Sequence, residues 1–329
     1  MEKLYLELKN KIETAENIII FSHVNPDGDA IGSNLALNIM LEKHFNKIPD
    51  SVYSGSLPSI YSFMPHFGRL KEVQTLDKNK KYDLAVSLDT ASKDRLASGA
   101  CFFDGAGFSA VIDHHKTNPR YGNINIIDGG AACTGIVLNR IFESWKLDMP
   151  LDAARCIYTS MLTDTGGFRY DNTNEECFLL AAKLIKAGVS PMKEYRACYE
   201  TKPQAMLMFQ AQAVSNASFY NDGKIAAVKI TQNDMKRLNA EDDYTEGIVE
   251  ILRTVKNVEI AVLLKETKDG WTKVSLRSKN INLIPAVLDF GGGGHMFAAG
   301  CTIKKPVMIA FDKLMARIQT ELKLNDKTS

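Results

Sequence analysis

Up to Gly188 the chain repeats one pattern: a short, β-rich apolar run that stops at an acidic residue or a histidine, then a stretch of helical periodicity. Ile18-Ile19-Ile20-Phe21 leads into His23-Val24-Asn25-Pro26-Asp27-Gly28-Asp29, Ala85-Val86-Ser87-Leu88 into Asp89, and Ala110-Val111-Ile112 into Asp113-His114-His115. Strands that alternate with helices pair in parallel through helical crossovers. The pattern therefore predicts an α/β fold with a doubly wound, mostly parallel sheet. Strands are expected at 17–22, 82–88 and 108–112, and helices near 30–44, 133–146, 151–163 and 174–187. The last helix opens on Thr173-Asn174-Glu175-Glu176, which has capping-box spacing, and stops at Gly188.

Ser190-Pro191 breaks the pattern, and 329 residues allow two domains, each with its own core. We expect a first domain over 1–190, a helical linker over 191–215, and a second, smaller α/β domain over 216–329. In the second domain, strands at 218–220 and 225–230 flank the turn Asn221-Asp222-Gly223. Strands near 258–266 and 272–277 follow, then a helix near 283–289, a glycine run and a final helix over 307–323. Met206-Leu207-Met208-Phe209 reads as helix core or packing between domains.

Composition removes several function classes. The 40 Lys+Arg against 39 Asp+Glu leave a net charge of +1, without the global basic field expected of a binder of long duplex DNA. No apolar segment reaches the roughly 18 residues of a membrane span, so no membrane partner is expected. Six cysteines are scattered without a C-x-x-C, and the charged N-terminus has no leader pattern. Reduced, mostly core cysteines in a cytoplasmic protein are the expectation.

Asp27 and Asp29, one glycine apart, repel each other unless a cation neutralises them, and oxygen-rich donors of this kind suit Mg or Mn. Taken singly, Asp89 reads as a cap, Asp164 as a surface carboxylate, and the histidine pair as locally bonded polar residues. The carboxyl ends of strands in an open parallel sheet share one crevice, however, where distant elements converge. Together these residues point to a single metal site.

The same residues resemble the motifs of the DHH phosphoesterase superfamily: His23-x-x-x-Asp27-x-Asp29, Asp89 in Ser87-Leu88-Asp89-Thr90, Asp113-His114-His115, and Asp164 in Thr163-Asp164-Thr165-Gly166. Gly291-Gly292-Gly293-Gly294-His295 and Ala298-Ala299-Gly300 resemble the associated DHHA1 domain. The resemblance implies two divalent ions, Mn or Mg. His23, Asp27 and Asp89 would serve one, and Asp29, Asp89, His114 and Asp164 the other, with Asp89 bridging. It implies that the ions activate a water for in-line displacement at phosphorus. His115 would then hydrogen-bond or protonate a phosphoryl oxygen, and Asp113 would orient a ligand imidazole.

For the second domain, a glycine loop running into His295 and a short helix offers amides to a phosphate. The alternative is a tight turn packed on a neighbouring strand. The family pattern brings Arg277 and Ser278, with Gly292, Gly293, Gly294 and His295, to the substrate. Arg169 either binds phosphate beside a base-stacking aromatic or is solvated. The resemblance is nearest to the nanoRNase and pAp phosphatase branch. It implies a short nucleotide or oligonucleotide partner in a cleft between the domains and leaves a homodimer open. Hydrolysis of cyclic or linear dinucleotides is the alternative, ahead of an exopolyphosphatase-like activity or a non-catalytic nucleotide-binding module. Pyrophosphatases share the first domain's motifs but lack the glycine-histidine signature.

Overall fold

The computed structural model describes residues 1–325, with the side chains of His295 and residues 323–325 outside the description. Two compact units result, Met1–Thr201 and Lys202–Ser329. In the first, helix α1 (Glu2–Thr14) precedes strand β1 (Ile18–Phe21), α2 (Gly28–Phe45), β2 (Asp50–Tyr53), β3 (Lys71–Glu72), β4 (Leu84–Leu88), α3 (Ala100–Asp104), β5 (Phe108–Asp113) and β6 (Ile124–Ile127). Helices α4 (Thr134–Ser144), α5 (Leu151–Asp164), α6 (Glu175–Lys186) and α7 (Pro191–Tyr199) complete it.

The sheet order is β3-β2-β1-β4-β5-β6, and every pairing is parallel. The chain leaves β1 towards one edge and returns through β4 to work towards the other. The order thus reverses between β1 and β4, and a crevice opens at their carboxyl ends. His23 to Asp29 follow β1, and Asp89 follows β4.

β1 is Ile-Ile-Ile-Phe and buried throughout, as a parallel strand covered on both faces must be. Ile18 and Ile20 face a large core with α1, α2, α4 and α5, while Ile19 and Phe21 face a smaller one with Leu96 and Phe103, the two-residue period of a strand. α2 is buried on all sides from Gly28 to Leu41. Glycines let it approach α5: a Cβ on Gly32 would lie 2.6 Å from the Cys156 carbonyl oxygen.

Only three of the six strands stand out in the sequence. β2 (Asp-Ser-Val-Tyr) is polar yet largely buried, because its polar groups find partners. Asp50 accepts from Lys71 Nζ (2.8 Å), Lys80 Nζ (2.7 Å) and Tyr82 Oη (2.7 Å), which ties β2 to β3 and to the start of β4. β3 is two residues long, and β6 is four.

The second unit contains α8 (Gln204–Ser215), β7 (Ser218–Tyr220), β8 (Ile225–Ile230), α9 (Gln232–Arg237), α10 (Ile248–Arg253), β9 (Ile260–Glu266), β10 (Thr272–Ser278), α11 (Ile284–Leu288), β11 (Gly293–His295), β12 (Ala298–Ile303) and α12 (Val307–Asn325). The span expected as a linker is thus two helices, with α7 in the first unit and α8 in the second. Its sheet, β11-β12-β10-β9-β8-β7, is antiparallel except for β8 with β9. Asn221, Asp222 and Gly223 all take positive φ in the β7–β8 turn. Met206 and Phe209 are buried in the core on one sheet face, whereas Leu207 and Met208 are exposed.

The glycine run departs from expectation. It does not lead into a helix; it follows α11 and enters the edge strand β11, which pairs antiparallel with β12. Among the described residues, no helix is long and apolar enough to cross a membrane.

Asp50 generates a pH test. Burial raises its carboxyl pKa, but the bonds from Lys71, Lys80 and Tyr82 outweigh that and hold it at about 2 against an ordinary 3.8. The folded state therefore gains stability above the unfolded pKa and loses it as pH falls towards 2. Asp50→Asn should cost about 2 kcal/mol at pH 7 in urea unfolding. The difference from wild type should shrink between about pH 4 and 2; a cost independent of pH would refute the assignment.

Candidate metal centre

Asp27 caps α2 through its Oδ1, which accepts from the amides of Asp29 and Ala30 at 3.1 Å each. Its Oδ2 lies 3.8 Å from His23 Nε2. Desolvation works against the charge, yet the His23 ring and these amides hold the Asp27 carboxyl well below the usual carboxylate range. The cap places Asp29 one residue inside the helix, buried and facing α4 and α5. Its Oδ2 accepts from the Thr134 amide at 2.8 Å, and its Oδ1 from Ser160 Oγ at 2.5 Å and Ser33 Oγ at 3.0 Å. Gly28, between the two carboxylates, is required sterically. A Cβ there would lie within 2.8 Å of three Thr163 side-chain atoms, beside Asp164.

Asp89 stands at the centre. It takes φ +52, a left-handed conformation uncommon outside glycine, and so turns the chain out of β4 while its amide still bonds the Ile112 carbonyl at 3.1 Å. Its Oδ2 lies 3.7 Å from His23 Nε2, and its Oδ1 lies 3.5 Å from His114 Nε2 and 3.7 Å from His115 Nδ1. Burial, then the charges of Asp29, Asp27, Asp113 and Asp164, drive the Asp89 pKa well above the ordinary range. Asp164, the last residue of α5, is raised for the same reasons, burial first and then Asp29 and Asp27. His114 Nε2 lies 3.9 Å from Asp29 Oδ2 and 3.8 Å from Asp164 Oδ2.

Three overlapping groups result: His23, Asp27 and Asp89; Asp29, His114 and Asp164; and Asp89, His114 and His115. The ligand atoms in each lie within 4.8 Å of one another. Atoms that share an ion at about 2.1 Å stand roughly 3–4 Å apart, so the spacing suits a divalent cation. No Lys or Arg salt bridge reaches Asp27, Asp29, Asp89 or Asp164 among the described residues. Clustered carboxylates, Asp29 and Asp89 buried among them, with imidazoles and without a fixed countercharge are a donor set that fits a metal.

Asp113 bonds one of the clustered imidazoles. Its Oδ1 accepts from the ring of His115 (Nδ1, 2.7 Å) and from the amide of His114 (2.8 Å), and its Oδ2 from Asn118 Nδ2 (2.6 Å). The imidazole that it orients is thus that of His115, because the turn after β5 carries the His114 ring away, to 3.4 Å from the Ala131 carbonyl. These bonds, against burial, hold the Asp113 carboxyl below its ordinary range.

Among the other named residues, Arg169 is exposed, with its Nε bonded to the Gly166 carbonyl at 2.7 Å. Arg277 pairs through Nε with Glu250 Oε1 at 2.9 Å. Ser278 is buried and donates its hydroxyl to the Ile281 carbonyl, so it serves the turn after β10 and presents no group outward, contrary to its expected substrate contact. The His295 side chain lies outside the described residues. Several contributors carry no sequence signal. Asn172 bonds the Asp164 carboxylate, Thr134 bonds Asp89, and Arg95 Nη2 lies 3.0 Å from His23 Nδ1. Each is a common polar residue, and only distance in the fold distinguishes it.

Two family models match: "DHH family, N-terminal domain" over residues 17–161 and "DHHA1 domain" over 222–323. The chain is 30% identical to the "Bifunctional oligoribonuclease and PAP phosphatase NrnA" of Thermus thermophilus, covering 93% of this chain and 90% of the relative. It is 26% identical to the protein of the same name from Bacillus subtilis, covering 95% and 97%. The crystal structure of an exopolyphosphatase-related protein from Bacteroides fragilis superposes with a TM-score of 0.92 at 26% identity, covering 98% of both chains.

Removing a carboxylate from this cluster should act oppositely with and without metal. In chelator, Asp89→Asn should melt about 2–4 °C above wild type, since repulsion is relieved. The rise in Tm that Mn gives wild type should be largely lost. A chelated variant melting below wild type would show that the carboxylates do not strain the metal-free fold.

Proposed function

The chain belongs to the DHH phosphoesterase family, and from that premise we propose that it hydrolyses short oligonucleotides and 3',5'-bisphosphonucleosides of the pAp type in the cytoplasm. The observation that carries this reading is Asp89, a single buried carboxylate with one oxygen towards His23 and the other towards His114 and His115. Two divalent ions, Mn or Mg, would be held by His23, Asp27 and Asp89 on one side and Asp29, Asp89, His114 and Asp164 on the other. Such ions supply Lewis acidity and lower the pKa of an attacking water.

The chain's own residues contribute position and protons. With Asp113 accepting at Nδ1, the His115 ring is fixed so that, when doubly protonated, its Nε2–H can donate to a phosphoryl oxygen or protonate the departing one. Thr134, Ser33 and Ser160 fix Asp29, and Asn172 fixes Asp164, so the donors are arranged before substrate arrives.

The second unit would hold a terminal phosphate of the substrate. Its glycines divide by cause. A Cβ on Gly292 would lie 2.4 Å from the Gly300 carbonyl oxygen, and one on Gly294, at φ +138, 2.4 Å from that of Ala298. Gly291 takes φ +68, which alone favours glycine. Gly293 has an ordinary φ and nothing within 4 Å of a Cβ. Among the described residues nothing requires its lack of a side chain, which supports close approach by a ligand. Arg277 would join by exchanging Glu250 for phosphate, alongside His295.

One panel tests the reading: pAp, pApA, a short RNA, cyclic di-AMP and pyrophosphate, each with Mn and Mg. pAp and short RNA should turn over fastest, and Asp89→Ala should lower kcat/KM at least about a hundredfold. Equal turnover by both proteins, or preference for pyrophosphate, would sink the proposal. Gly293→Ala should keep Tm within about 1 °C of wild type while raising KM; an unchanged KM removes this glycine from the substrate site.

A further inference from the structure

Four carboxylates would balance the whole charge of two divalent ions, and a phosphate ester brings more negative charge to the same place. A further cation beside the donors would stabilise the transition state. Among the described residues, one guanidinium bonds a member of the cluster, that of Arg95. The segment after Asp89 carries it there, and its backbone is anchored: the Arg95 carbonyl accepts from the Val24 amide at 2.8 Å. The residue itself is exposed.

The contact is chemically ambivalent. His23 Nδ1 lies 3.0 Å from Arg95 Nη2 and 2.9 Å from the Val24 carbonyl oxygen. A guanidinium only donates, so the first contact needs a lone pair on Nδ1; a carbonyl only accepts, so the second needs a proton there. One ring nitrogen cannot satisfy both. His23 Nε2 is the atom facing Asp27 and Asp89, at 3.8 and 3.7 Å. When an imidazole ligates metal through one nitrogen, its remaining proton sits on the other and is donated to a carbonyl or carboxylate. A metal held at Nε2 would therefore favour the Val24 contact over the guanidinium.

We infer that Arg95 is a substrate-phosphate residue, held on His23 in the metal-free enzyme and released to the phosphoryl group once metal sets the His23 tautomer. A planar guanidinium suits this task because it meets two phosphate oxygens at once. The inference deepens the phosphoesterase reading and rests on it.

The test uses the full chain, with Arg95→Ala, Arg95→Lys and Asp89→Ala compared with wild type. Calorimetry measures Mn affinity, then AMP affinity on the Mn-loaded protein. Arg95→Ala should bind Mn as tightly as wild type or more tightly, since the competitor for Nδ1 is gone. It should bind AMP about tenfold more weakly, with Arg95→Lys in between. A fall in Mn affinity alongside AMP affinity would make Arg95 a mere support for His23 and overturn the inference. AMP affinity within about twofold of wild type would do the same. Asp89→Ala separates the readings: if it abolishes Mn binding and hydrolysis while Arg95→Ala changes nothing, the metal reading stands and the Arg95 role falls.

Discussion

Repulsion among clustered carboxylates, two of them buried, is the constraint on which the rest of the first unit depends. Asp27, Asp29, Asp89 and Asp164 crowd one end of a parallel sheet, and burial together with mutual charge raises Asp89 and Asp164 far from ordinary carboxylate behaviour. A fold gains nothing in stability from such an arrangement without a cation. The surrounding structure must therefore hold it rigidly. It does so with neutral donors: the amides at the start of α4, the hydroxyls of Ser33, Thr134 and Ser160, and the amide of Asn172. None neutralises charge, so the demand for a metal is preserved while the geometry is fixed.

The same logic explains the close helix packing. α2 brings Asp27 and Asp29, α4 brings Thr134, and α5 brings Ser160 and Asp164, and these meet only if the helix backbones approach closely. Gly28, Gly32 and Gly135 permit that approach, with Gly135 set against Ser160. The glycine between the two carboxylates is thus a packing requirement as well as a spacer. Asp113 lies behind the triplet's histidines and holds the His115 ring through Nδ1. The two rings of one triplet thus have different partners, the Ala131 carbonyl for His114 and Asp113 for His115.

In the second unit, glycine content alone is a poor guide. Three of four consecutive glycines have an internal cause, a close carbonyl or a positive φ, and one does not. Both readings of the run are thereby partly right: it packs tightly on β12, and one position stays open. Edge-strand pairing replaces the helix expected after it, because Gly293 to His295 find hydrogen-bond partners in Ala298 to Gly300 across a tight turn.

The α/β class, the central strands β1, β4 and β5, and the donor types were legible in the sequence. A mostly apolar run ending in a carboxylate or histidine is a local pattern, and burial on both faces of a parallel sheet favours it. β2, β3 and β6 were not legible, for they are short or polar, and Asp50 is buried only because Lys71, Lys80 and Tyr82 come from elsewhere in the chain. The sequence by itself determined which side chains could meet at the sheet's carboxyl edge. Only the tertiary structure decided which Asp89 oxygen faces which imidazole, that Asp113 serves His115, and that Arg95 competes for His23. Such pairings are set by distances of a few ångströms between residues often tens of positions apart, and those distances exist only once β4 lies beside β1.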